Sequence, residues 1–119
     1  MSLAEKVLIE KAGPAIVEEY DAKTKRFGEK IPVGTAIVTD AGNTHFKKLI
    51  QVTNPTWCSG EPGKAFELSY IVRQALLRAE SNKCASVAIP AISSGSNNFP
   101  KLLTSQCLFH EVIKYALQK

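Results

Sequence analysis

The chain has 119 residues, is 45% hydrophobic and 22% charged, and carries a net charge of +4 with a pI near 9.0. These values fit a single globular domain over residues 1–119 and exclude global disorder, and no apolar run nears the roughly 18 residues of a membrane-spanning helix. The basic balance favours anionic partners, but the lysines are dispersed or in short clusters such as Lys23-Thr24-Lys25-Arg26, which reads as a solvated face and not as a nucleic-acid footprint.

Helical spacing of Leu3, Val7 and Leu8 predicts a first helix that Gly13 stops. Pro14 suits the first turn of a second helix, and Ile16, Val17 and Tyr20 give it an apolar side up to Gly28. Residues 34–39 read as a β-branched strand closed by Asp40-Ala41-Gly42-Asn43. A second strand over 49–53 ends at Asn54-Pro55, with an antiparallel connection between the two.

The strongest helix signal covers 63–80, where Leu68, Ile71, Val72, Ala75, Leu76 and Ala79 form one stripe. The apolar run 86–92 reads as a strand covered on both faces. Residues 102–117 return to helical periodicity through Leu108, Phe109, Val112, Ile113 and Ala116. This order of helices and strands predicts an α/β layered fold.

Between the last strand and the last helix stands Ser93-Ser94-Gly95-Ser96-Asn97-Asn98-Phe99. A loop from a strand into a helix is a common ligand position in open α/β sheets, because the helix start offers unpaired N–H groups and a positive dipole end. Small residues admit a phosphate closely, the serine hydroxyls add donors, and Asn97 and Asn98 tolerate the backbone of an amide nest. Phe99 suits a sugar or base. The competing reading is an N-capping loop before Pro100, which the residue chemistry alone favours slightly.

Cys58, Cys84 and Cys107 are odd in number and far apart, which fits a reducing, intracellular compartment, cytoplasmic or nuclear, without a disulfide framework. No secretory h-region opens the chain. No Cys-x-x-Cys is present and neither His45 nor His110 has a ligand at metal-site spacing, so no metal is expected. Trp57, His110 and Cys107 read as packing or surface residues, and Glu18, Glu19 and Glu61 are lone carboxylates that make no acid–base pair.

Four blocks together resemble the macro domain, a family of ADP-ribose-binding modules. They are Gly13-Pro14 with Glu18-Glu19, the strand and turn from Gly34 to Asn43, the segment from Phe46 to Trp57, and Ser86-Val87-Ala88-Ile89-Pro90-Ala91-Ile92-Ser93-Ser94-Gly95 followed by Phe99-Pro100. The resemblance implies a three-layer α/β/α macro-like fold with a mixed, incomplete sheet. It also implies that Ser93, Ser94, Gly95, Ser96, Asn97, Asn98 and Phe99 wrap the diphosphate and distal ribose of ADP-ribose, free or attached to proteins. No cofactor beyond that ligand is implied, and no catalytic residue is carried over.

The alternatives are an ADP-ribosyl hydrolase fragment, or a macro-like scaffold or protein-interaction module that has lost ligand binding. The family's opening strands, one of them central to the sheet, and its last strand have no counterpart in these 119 residues. An incomplete sheet, or one completed by a second chain, is therefore expected.

Overall fold

The computed structural model describes residues 3–54, 63–90 and 99–118. Two helices open the chain, α1 (Leu3–Ala12) and α2 (Pro14–Thr24), followed by a 3-10 turn at Lys25–Phe27. Gly13 separates them at φ +98°, a conformation that favours glycine, and Pro14 then sits where its missing N–H has no cost.

Strands β1 (Ala36–Asp40) and β2 (Lys48–Val52) pair antiparallel, with Ala36 opposite Val52 and Asp40 opposite Lys48. The turn into β1 explains Gly34. The Thr35 N–H bonds the Pro32 carbonyl, which puts Gly34 third in the turn at φ +88°. Gly34 N–H then bonds the Thr53 carbonyl while Thr53 N–H bonds that of Thr35, so two residues oppose one in a glycine bulge.

Helix α3 (Lys64–Ser81) buries Leu68, Ile71, Val72, Ala75 and Ala79 along one stripe, as the periodicity predicts. It ends without glycine. Lys83 takes φ +57° so that its N–H reaches the Glu80 carbonyl and the Cys84 N–H reaches that of Ala79, a Schellman closure. Helix α4 (Lys101–Leu117) follows Pro100.

Helix α2 lies along β1, α3 packs on both strands, and α4 packs on α3. The core joins Leu68 and Ile71 of α3 to Phe99, with Val52 of β2 and Leu103 and Cys107 of α4 packed around them.

The sheet of the described residues has two strands and is incomplete, as expected. The strand expected at 86–92 is a correction: residues 86–90 form no strand, and Ser86, Val87, Ala88 and Pro90 are exposed. β-branched composition gives a segment the propensity for a strand, but a strand exists only where a neighbour pairs its N–H and C=O groups. Neither β1 nor β2 offers that pairing here, and residues 91 and 92 lie outside the described residues.

Candidate functional site

Of the loop residues singled out from sequence, Ser93, Ser94, Gly95, Ser96, Asn97 and Asn98 lie outside the described residues. Phe99 is described, and it sits in the core at 2% exposure against Leu68 and Ile71. Its ring therefore pins the end of the loop to α3. Pro100 follows as the N-cap residue of α4, and its carbonyl accepts the Thr104 N–H at 3.0 Å.

That arrangement bears on the two readings of the loop. A capping loop needs a side-chain acceptor at the N-cap, and proline has none. The first turn of α4 also contains no acidic residue. Among the described residues nothing accepts from the N–H groups of Lys101, Leu102 and Leu103, so the helix start presents free donors and the positive end of its dipole. Lys101 adds a cation at the same point. The electrostatics there suit an anion.

Of the carboxylates left unassigned from sequence, Glu19 has structural work between α2 and β1. Glu19 accepts the Asp40 N–H at 3.0 Å and pairs with Lys23 at 2.9 Å, and Lys23 Nζ donates to the Val38 carbonyl at 2.6 Å. The Lys23 hydrogen bond, helped by the Asp40 amide, holds the Glu19 carboxyl below its ordinary range. Across the hairpin Lys48 Nζ donates to Asp40 Oδ1 at 2.7 Å, which lowers the Asp40 carboxyl and raises the Lys48 ammonium. These contacts span 15 to 21 residues along the chain for α2 and β1, so no local pattern announces them.

A groove between α2 and β1, lined by Ala22, Lys23, Arg26 and Ala36 to Val38, has little to offer a ligand. Lys23 is committed to Glu19 and Val38, and Arg26 stacks over the Phe27 ring at 4.7 Å. Cys107 packs against the core and His110 is exposed, in keeping with their reading from sequence. Trp57, Cys58 and Glu61 lie outside the described residues.

The Macro domain family model matches residues 4–108. This chain belongs to the macro domain family. It is 32% identical over 111 residues to human protein mono-ADP-ribosyltransferase PARP14, covering 93% of this chain and 6% of that protein. It is 34% identical over 110 residues to the O-acetyl-ADP-ribose deacetylase of Salmonella typhimurium, covering 89% of this chain and 61% of that one. The fold matches the Oceanobacillus iheyensis macrodomain with ADP at a TM-score of 0.89 and 20% identity, over all of this chain and 64% of that structure. The chain thus spans less than two thirds of the relatives and of the solved macrodomain it matches.

Proposed function

We propose that this chain binds ADP-ribose, free or as a modification on proteins, through Ser93, Ser94, Gly95, Ser96, Asn97 and Asn98, while Phe99, expected to lie against a sugar or base, is instead buried at 2% exposure and anchors the loop. One observation carries the reading: the loop runs directly into a helix start whose first N–H groups have no acceptor among the described residues, with no acidic residue in the first turn and no side-chain cap at Pro100. Membership of the macro family, and a similar fold solved with ADP, support a diphosphate as the anion. In this reading the loop backbone and serine hydroxyls take the phosphates, the α4 dipole opposes their charge, and buried Phe99 holds the loop in register. Such a site works in a reducing, intracellular compartment, cytoplasmic or nuclear, and its protein partner carries ADP-ribose. A second chain that completes the sheet is part of the proposal.

Identity to a protein named O-acetyl-ADP-ribose deacetylase supports a second reading, hydrolysis of an ADP-ribose ester. Release of acetate from O-acetyl-ADP-ribose by the purified chain would establish it.

Calorimetric titration with ADP-ribose tests the main reading. Saturable binding in the micromolar range is expected, and Gly95→Glu, which brings bulk and a negative charge to the loop, is expected to abolish it. Flat heats with the unmodified chain would contradict the proposal and favour the scaffold reading.

A further inference from the structure

Hydrogen-bond parity divides the backbone groups of β1 into an inner and an outer row. Thr53 N–H bonds the Thr35 carbonyl at the start of the hairpin, so Ile37 and Thr39 bond inward to β2. The N–H and C=O groups of Ala36, Val38 and Asp40 therefore point away from β2, along the outer edge of the strand.

One end of that outer row is met within the chain. Lys23 Nζ donates to the Val38 carbonyl at 2.6 Å, Glu19 accepts the Asp40 N–H at 3.0 Å, and Thr39 Oγ1 donates to the Asp40 carbonyl at 3.0 Å. At the other end the Ala36 N–H, the Ala36 carbonyl and the Val38 N–H have no hydrogen-bond partner among the described residues. Charged side chains commonly guard a strand edge against pairing. Here Glu19 and Lys23 guard one end and leave the other open.

The open groups border the groove between α2 and β1. Its volume is about 440 Å³, within the roughly 300–1,000 Å³ of ligand sites, and Ala22, Lys23, Arg26 and Ala36 to Val38 line it. The side chains offer a small ligand little, because Lys23 is tied to Glu19 and Val38, and Arg26 lies over Phe27. What the groove offers is backbone: a donor, an acceptor and a second donor in strand order. At a rise of about 3.4 Å per residue the two donors stand roughly 7 Å apart. Another extended backbone repeats acceptors at that spacing with a donor between them, and a compact anion does not. Ala22 and Ala36 put no bulk in the way of its approach. Charge then selects among extended segments, since two cations and no carboxylate line the groove, and Arg26 is exposed.

We propose that the outer edge of β1 takes up an extended acidic peptide as an added strand, paired to Ala36 and Val38 and stopped by the Glu19–Lys23 clasp. Peptide carbonyls accept from the Ala36 and Val38 N–H groups, a peptide N–H donates to the Ala36 carbonyl, and acidic side chains face Arg26. The ladder ends where Lys23 holds the Val38 carbonyl and Glu19 the Asp40 N–H. Neither α2 nor β1 touches α4 among the described residues, so this site is separate from the candidate ADP-ribose loop. A flat calorimetric titration with ADP-ribose leaves it standing.

The test titrates the full 119-residue chain with a blocked peptide of alternating glutamate and valine and follows backbone amide exchange. At saturating peptide the Ala36 and Val38 amides are expected to exchange at least about tenfold more slowly, while those of Ile37 and Thr39, already bonded to β2, change little. The same peptide N-methylated throughout should give no protection. A peptide of alternating lysine and valine should bind several-fold more weakly, and Arg26→Glu should remove that preference. Unchanged exchange at Ala36 and Val38 would overturn the proposal, as would protection that survives N-methylation or that the lysine peptide gives equally. Protection of those two amides that rises with chain concentration in the absence of peptide would overturn it in favour of pairing between two copies.

Discussion

The outer edges of β1 and β2 belong to the same two-stranded hairpin and have opposite fates. Along β1, α2 supplies Glu19 for the Asp40 N–H and Lys23 for the Val38 carbonyl, so that edge is partly closed by side chains. Along β2 no described residue does the same, and the helix on that side turns Leu102, Phe109, Ile113 and Leu117 to the surface. A strand edge costs free energy only where its polar groups lose water without finding partners. The α2 side meets part of that need with its own side chains, and the β2 side has no such contact among the described residues. The candidate ADP-ribose loop ends at the start of that open half.

The largest way to break the comparison is Gly42→Ala, on the closed side. A Cβ there would stand 2.1 Å from the Ala12 carbonyl oxygen, and Gly42 has φ +56°. Asn43 N–H also bonds that carbonyl, so the α1 end and the hairpin turn cannot easily part. A loss of about 3 kcal/mol or more is expected by chemical denaturation. Ile113→Glu on the open side should stay within about 0.5 kcal/mol of the parent. Equal losses at the two sites would erase the distinction between closed and open halves.

A smaller effect sharpens it. Glu19→Gln weakens the clasp on β1 and should speed exchange of the Asp40 amide several-fold, with the Ile50 amide unaffected. Acid should likewise lower the protection of the Asp40 amide in the parent chain, measured relative to its intrinsic exchange, which itself slows as pH falls. The Glu19 and Asp40 carboxyls are held low in the folded state by Lys23 and Lys48, so their stabilisation is full above the unfolded carboxylate range. It is lost as pH falls through their depressed folded values, below about pH 4. Both groups are solvated, which makes the change in overall stability small. An Asp40 amide insensitive both to Glu19→Gln and to acid would show that the clasp does not close the edge.

Local chemistry made most of the helices and both strands legible. Gly13-Pro14, the β-branched run into Asp40 and the stripe of α3 each state their element within a few residues. What the sequence could not state was anything set by a distant neighbour. Residues 86–90 have the composition of a buried strand and find no strand to pair with among the described residues. The periodicity of α4 marked Phe109 and Ile113 as one apolar face, but not that Thr104 and Glu111 would turn toward α3. Lys83 hides a helix stop that glycine usually announces, and Glu19 looked like a lone carboxylate because its partner strand begins 17 residues later. At the site itself, sequence identified the helix-entering loop. The pinning of Phe99 in the core and the absence of a cap at Pro100 emerged only from packing.

The most direct test of the functional account is a titration of the isotopically labelled chain with ADP-ribose, followed by its backbone amide resonances. The account predicts saturable shifts at Gly95 and at Lys101, Leu102 and Leu103, while the amides of α2 and β1 stay in place. Shifts confined to the groove between α2 and β1, or none at saturating ligand, would contradict it.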